Sequence, residues 1–209
     1  PSQIHLSVTD RCFLPCEHCD IWKNDTVDLP TQEWLSLIDR LGQWCAPGGI
    51  NFVGGEPLLR KDLVRLLAAA VSYGFETSFN TNGWLVTEKR AQSLVDAGVS
   101  TVYVSLDGLD RKEVDRSRGR EGSFDKAMEA IGFFNAAGAP NVITAAILHT
   151  GNPQFILDQL DWVEANGHQL VLQPLYQNFG QTVYNPDWWK TSEMWPHKAD
   201  QVKQLHAVL

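Results

Sequence analysis

Three of the four cysteines in this chain fall between positions 12 and 19, as Cys12, Cys16 and Cys19. A loop this short has no interior that could bury three thiols, so the spacing predicts that they hold one metal centre. Thiolate-rich sites select zinc, copper(I) or iron–sulfur clusters. A structural zinc ion needs four ligands, and His18 or Cys45 could complete that set. A [4Fe–4S] cluster held by three cysteines would instead leave one iron open to a substrate or cofactor.

Polar and glycine-containing motifs follow the next predicted strands. They are Gly54-Gly55-Glu56-Pro57, Asn80-Thr81-Asn82-Gly83 and Ser105-Leu106-Asp107-Gly108, with Ser117-Arg118-Gly119 a little further along. In parallel α/β folds the ligand site lies at the carboxyl ends of the strands. We therefore expect these motifs to share one rim with the cysteine loop, although each alone is a weak signal. Gly54-Gly55 and Asp107-Gly108 could also be plain turns, and Arg118 could belong to a charged surface run.

The elements that must position these motifs alternate regularly between strand and helix. Predicted strands cover 3–8, 50–53, 75–81, 101–106, 142–148 and 169–175, with helices between them and a last helix near 198–209. Thr31 and Ser123 are the predicted helix caps. This alternation predicts parallel βαβ units, and the apolar strands predict burial on both faces. An open doubly wound sheet is possible, but the predicted fold is α/β, a partial (β/α)6 TIM-like barrel.

The chain divides by composition into a core over 1–176 and an aromatic-rich tail over 177–209, which begins a C-terminal helix or extension. We expect the chain to be a segment of a longer protein and the tail to pack on a further domain. The net charge of −8 argues against a duplex nucleic-acid partner. No apolar run approaches the roughly 18–20 residues of a membrane span. The cysteines do not form a disulfide framework, which favours a cytoplasmic location.

The cysteine loop together with Gly54-Gly55-Glu56-Pro57, Ser105-Leu106-Asp107-Gly108 and Arg118-Gly119 resembles the radical S-adenosylmethionine (SAM) superfamily, over residues 3 to about 175. Within it, the motifs most resemble the group of the molybdenum-cofactor cyclase and the SPASM-type peptide-modifying maturases. The resemblance implies that Cys12, Cys16 and Cys19 bind a [4Fe–4S] cluster whose open iron is chelated by SAM. Reductive cleavage of SAM would give a 5′-deoxyadenosyl radical that abstracts hydrogen from a peptide or small-molecule substrate.

An electron donor such as flavodoxin or ferredoxin is implied as well. Two other functions stay open. One is a radical methyl- or adenosyl-transferase on the same core, and the other is a non-catalytic iron–sulfur or zinc-binding protein.

The resemblance also implies contacts to the methionine end of SAM. Gly54 and Gly55 let backbone approach closely, and Glu56 has the charge to accept from the ammonium group. Arg118 carries a permanent cation whose planar fork suits the methionine carboxylate.

At the nucleoside end, Ser105 and Asp107 are predicted to accept from ribose hydroxyls, with help from Asn80 or Asn82. His18 occupies a position that is often aromatic in this family, and its ring could lie over the adenine or donate towards a cluster sulfide.

Three positions carry less specific predictions. His5 is expected to pack in the core near the barrel floor, and Cys45 to be a buried small hydrophobe. Gln173 and Tyr176 follow the sixth strand and could touch substrate.

Overall fold

The computed structural model describes residues 1–175 and 187–209. Within them one sheet contains six strands: β1 (Gln3–Thr9), β2 (Gly49–Gly54), β3 (Glu76–Thr81), β4 (Thr101–Ser105), β5 (Asn141–Leu148) and β6 (Gln169–Pro174). All neighbouring strands are parallel, and their spatial order is their sequence order. All six predicted strands are confirmed.

The sequential strand order decides between the two predicted architectures. Crossovers between parallel strands are right-handed, so a chain that always moves to the next strand in one direction keeps its helices on one face. A doubly wound sheet reverses direction and places helices on both faces. The order β1 to β6 contains no reversal. The fold is therefore the partial barrel type, with β1 and β6 as the two edges of the sheet.

Seven α-helices accompany these strands in the described ranges. They are α1 (Thr31–Cys45), α2 (Leu63–Ser72), α3 (Glu88–Asp96), α4 (Arg111–Ser117), α5 (Ser123–Ala136), α6 (Pro153–Ala165) and α7 (Ala199–His206). The short α4 was not expected from the sequence. The two predicted caps are wrong, because Thr31 and Ser123 are the first helical residues and the caps are Pro30 and Gly122. The Thr31 hydroxyl instead donates to Asp62 Oδ2 over 2.6 Å.

The hydrophobic core lies between the sheet and its helices. Phe52 of β2 and Phe79 of β3 are fully buried there, and the Phe79 ring meets Phe134 of α5 edge-on at 5.9 Å. The other face of the strands is different, since the alternate residues His5, Asn51 and Asn80 are polar and line a cavity. The predicted burial on both faces is confirmed for β2, β3 and β5, in which consecutive residues are buried, but the inner face of β2 and β3 is polar and not apolar. One face packs against helices, and the other is the wall of the site.

The C-terminal helix finds its partner within the same chain. Leu205 of α7 and Val208, just beyond its end, pack against Leu148 and Ile156, whereas Leu209 stays exposed. The predicted boundary between 176 and 177, and Tyr176 itself, lie outside the described residues. No helix in the described ranges is both long and apolar enough to cross a bilayer.

Candidate active site

A cavity of about 500 Å³ opens at the carboxyl ends of the strands. Its lining includes ten predicted site residues, namely Cys12, Cys16, His18, Cys19, Gly54, Gly55, Asn80, Asn82, Ser105 and Arg118. The structure therefore brings together motifs that are far apart in sequence, as the strand-end argument predicts. Glu56 and Asp107 are not among the lining residues, and their side chains bind other protein groups.

The cysteine loop is seated on β2 by backbone hydrogen bonds. The amide of Gly55 donates to the carbonyl of Thr9 and the amide of Glu56 to that of Arg11, each over 2.8 Å. A Cβ at Gly54 would lie 2.0 Å from Thr9 O, and one at Gly55 would lie 2.2 Å from Arg11 O. Both contacts are with backbone, which cannot swing aside. Glycine is therefore required here for the loop to approach, in addition to any role towards a ligand.

A second seat supports the loop from the end of α4. The amide of Glu17 donates to the carbonyl of Ser117 over 2.9 Å. Gly119 has a φ of +70°, and a Cβ there would lie 2.3 Å from Pro15 O. The motif Ser117-Arg118-Gly119 thus has two roles. Its backbone holds the cysteine loop, and the side chain of Arg118 lines the cavity.

The segment that follows the cysteine loop is held by the buried Arg60, a residue that no sequence motif pointed to. Its Nη1 donates to the carbonyls of Val8 and Leu29, both over 3.1 Å. Its Nη2 donates to Asp62 Oδ2 over 2.6 Å. One guanidinium therefore joins the end of β1 to the residues before α1.

Arg118 is fixed by a buried ion pair with Asp107. Its Nη2 lies 2.7 Å from Asp107 Oδ1 and its Nε 2.7 Å from Oδ2. The amide of Ile147 donates to Oδ1 over 2.9 Å, and the Ser117 hydroxyl donates to Oδ2 over 3.3 Å. Burial acts to raise the pKa of Asp107, but the charge of Arg118 holds it below its ordinary value. These bonds make Asp107 a positioning residue for Arg118, and its ribose contact stays a prediction.

Glu56 joins the ends of β2 and β3. Its Oε1 accepts from the Leu58 amide and the Thr81 hydroxyl, and its Oε2 accepts from the Asn82 amide over 2.8 Å. Burial raises the pKa of this carboxyl to about 7, while the three donors oppose the rise. Its predicted contact with an ammonium group stays a prediction. The Asn82 side chain accepts from the Trp84 amide over 3.0 Å and shapes the turn after β3.

Burial opposes the ionisation of the three thiols. Burial raises the pKa of Cys16 to about 12, although the neighbouring Arg118 opposes this. Burial likewise raises the pKa values of Cys12 and Cys19. Thiolates are therefore formed here when a metal supplies positive charge and releases the protons. Burial, and then the charge of Arg118, lowers the pKa of His18 to about 3, so its imidazole is neutral.

The donor set fits a cluster better than a single zinc ion. In the described part of the chain, no three His, Cys, Asp or Glu side chains converge as ligands of one ion. A cluster does not need that convergence, because each cysteine binds a different iron. Cys45 does not line the cavity; its thiol donates to the Leu41 carbonyl in α1 over 3.3 Å.

The sequence did not single out part of the cavity wall. Asn51 and Tyr103 line it, as does His5, which is exposed. The prediction that His5 packs in the core is wrong, because β1 is an edge strand whose inner face opens to the cavity. Counting alternate residues from strand to strand could have found this wall. Gln173 also lines the cavity.

The sequence model of the radical SAM superfamily matches residues 6–161 of the chain. The chain belongs to the radical SAM superfamily. Members of this superfamily use a [4Fe–4S] cluster and SAM. The match includes the cysteine loop and both of its seats. It ends within α6, so β6 and α7 lie beyond it.

Three relatives with different named activities are similar to this chain in sequence. The chain is 41% identical to an Fe-coproporphyrin III synthase of Methanosarcina barkeri, over 60% of this chain and 32% of that protein. It is 36% identical to a GTP 3′,8-cyclase of Bradyrhizobium diazoefficiens, over 82% and 52%. It is 28% identical to a PqqA peptide cyclase of Granulibacter bethesdensis, over 90% and 50%. The chain thus spans about half or less of the length of these relatives.

Among solved structures, the chain resembles SuiB of Streptococcus suis bound to S-adenosylmethionine. The TM-score is 0.78 at 18% identity, over 99% of this chain and 46% of that one. At this identity the likeness supports the fold, and it agrees with the partial barrel described above.

Proposed function

We propose that this chain is the catalytic core of a radical SAM enzyme that abstracts hydrogen from a peptide or small-molecule substrate. The observation that carries the proposal is that the thiols of Cys12, Cys16 and Cys19 line the same cavity as Arg118. Three thiols and one fixed cation suit a cluster with an open iron beside a zwitterionic ligand. We assign this core to residues 1–176.

The protein's role is to hold and orient the cluster and SAM and to enclose them in the cavity. When bound, the cluster and SAM supply the electron transfer and the 5′-deoxyadenosyl radical. Asp107 lies against the Nε and Nη2 edge of Arg118, which orients the guanidinium in the cavity, and we assign the methionine carboxylate to this cation. The carbonyls of Gly54 and Gly55 are the proposed acceptors for the ammonium group.

The nucleoside end of SAM is assigned to the neighbouring strand ends. Ser105 is the proposed ribose contact, and Asn80 and Asn82 line the cavity near it. The neutral imidazole of His18 is a suitable flat surface for adenine, because it adds no charge beside Arg118.

The proposed electron donor is a flavodoxin or ferredoxin, since the cluster must receive electrons singly. We also propose a cytoplasmic location, because three reduced thiols are needed to load the cluster and a reducing compartment preserves them.

The test is anaerobic reconstitution of the protein with iron and sulfide, followed by reduction with dithionite in the presence of SAM. We expect a brown protein that forms 5′-deoxyadenosine. Cys16→Ala should abolish this product and lower the iron content, because one iron loses its ligand. Cys45→Ala is the matched control and should retain both, since Cys45 lies at the end of α1 and its thiol bonds to Leu41.

A colourless protein that retains one zinc ion would refute the proposal. Formation of 5′-deoxyadenosine by Cys16→Ala at the unsubstituted rate would refute the ligand assignment.

A further inference from the structure

The inner wall of the cavity below the cysteine loop contains a ladder of polar side chains. Asn51 Nδ2 donates to Asn80 Oδ1 over 3.1 Å and lies 3.4 Å from His5 Nδ1. Tyr103 pairs with Asn80 in the register of β3 and β4 and also lines the cavity. This wall crosses four strands and is not used by the cluster ligands.

Within the described part of the chain, the side-chain oxygen of Asn51 lacks a hydrogen-bond donor. Asn51 is only 7% exposed, and its Oδ1 is buried without a hydrogen-bond partner in the described residues. Buried polar atoms are nearly always paired. The Nδ2 of the same amide already faces Asn80 and His5, so Oδ1 is the group that remains to be satisfied. It requires a donor.

The wall formed by the described strands carries no charged side chain, which favours an uncharged ligand. Among the described lining residues, those on strands carry no carboxylate, ammonium or guanidinium group. The guanidinium of Arg118 is paired with Asp107 and is assigned to the methionine carboxylate of SAM, so it is not available to the substrate. Phosphate and carboxylate groups are usually held by such cations. When ionised they are also acceptors only, so they cannot satisfy Asn51 Oδ1. An amide N–H can.

The opposite wall is mostly apolar, with Gln173 as its polar member, and among the described residues it is open to one side. Ala145 pairs with Val171 in the register of β5 and β6, and both line the cavity. Val171 is 45% exposed because β6 is an edge strand. A ligand can therefore extend out between the sheet edges, as a length of peptide would.

We propose that the wall of His5, Asn51, Asn80 and Tyr103 is a substrate subsite for a neutral peptide segment, with Asn51 Oδ1 accepting a peptide N–H. Ala145 and Val171 provide the apolar side. This inference rests on the proposed function only in placing the substrate next to SAM. It selects a peptide over a phosphorylated or polycarboxylate substrate.

The probe is a capped triglycine peptide, compared with capped trisarcosine, whose methylated nitrogens donate nothing. Binding to the reconstituted protein with oxidised cluster and SAM is measured by saturation-transfer NMR of the peptide. We expect triglycine to bind at least fivefold more tightly than trisarcosine. Asn51→Leu should raise the Kd for triglycine at least fivefold. The same change at Asn135, exposed on α5, should leave the Kd unchanged.

Ala145→Leu keeps the test decisive if Asn51→Leu does not fold, because it fills the cavity from the apolar wall and should also abolish binding. Equal binding of the two peptides, unchanged binding by both cavity variants, or displacement of triglycine by inorganic triphosphate would overturn the subsite. Formation of 5′-deoxyadenosine is measured on the same samples. Its absence with intact peptide binding would count against the proposed function alone.

Discussion

At the scale of single residues, the two acidic side chains of the site act on the protein itself. Asp107 holds Arg118 through two contacts of 2.7 Å, and Glu56 collects three donors at the ends of β2 and β3. Neither lines the cavity. In the structure they position the Arg118 guanidinium and the backbone turns after the two strands.

Asp107→Asn tests this positioning role. The substitution leaves a buried guanidinium without its counter-charge, and breaking a buried pair in this way costs roughly 3–5 kcal/mol. We expect a loss of about that size in the free energy of urea unfolding of the reconstituted protein at pH 7. The matched control is Asp125→Asn, which breaks the exposed pair with Arg111 and should cost at most about 1 kcal/mol. Equal losses for the two variants would show that Asp107 contributes no more than a surface charge.

At the scale of elements, the cysteine loop is supported on two sides by neighbouring elements. The turn after β2 supports one side, through Gly55, and the end of α4 supports the other, through Gly119. The buried Arg60 fixes the chain on either side of the loop. Three thiols are thereby presented to one cavity by elements far apart in sequence.

Gly55→Ala should disturb this seat. The added methyl group would start 2.2 Å from Arg11 O, so the loop must move, and overpacking of this kind typically costs about 1–3 kcal/mol. We expect lower stability to urea and fewer iron atoms per chain after reconstitution. Gly132→Ala in α5 is the control, because nothing lies within 4 Å of its new methyl group. Alanine there should stabilise the helix by about 0.5–1 kcal/mol and leave the iron content unchanged. Full iron content in Gly55→Ala would contradict a rigid seat.

At the scale of the whole molecule, the open barrel has an apolar core between sheet and helices and an inner wall that is polar on β1 to β4. The rim also contains buried histidines that must be neutral in the folded state. His149 at the end of β5 is fully buried, and burial lowers its pKa to about 4. Its Nδ1 accepts from the Gly151 amide over 3.0 Å. The fold therefore opposes protonation of this ring.

The consequence is a loss of stability in mild acid. Below about pH 6.5 the unfolded chain binds a proton at His149, whereas the folded chain does not until about pH 4. Stability should therefore fall as the pH falls through this window, by up to about 1.4 kcal/mol per pH unit from this group. His149→Asn, which keeps an acceptor for Gly151, should flatten the dependence measured by urea unfolding between pH 7 and 5. His206→Asn, exposed on α7, is the control; a slope unchanged by His149→Asn would contradict the assignment.

The sequence alone determined the ligand chemistry and the order of the elements. Cys12, Cys16 and Cys19 are neighbours in the chain, so the prediction that they share one metal centre needs only their spacing. The strands followed from local patterns of apolar residues and glycines, and the rim motifs from the rule that parallel strands end on one side. Each of these arguments needs only residues close together in sequence.

The tertiary structure decided which polar side chains face the cavity and which bind the protein. Glu56 accepts from the Asn82 amide in the turn after β3, and Asp107 accepts from the Ile147 amide of β5. The sequence did not indicate these contacts, and the predicted ligand contacts of both carboxylates stay predictions. Asn51 has no motif around it and became visible only when its strand was paired with its neighbours. Burial and partner choice depend on contacts between distant segments. No local pattern encodes them, and three-dimensional packing was needed to reveal them.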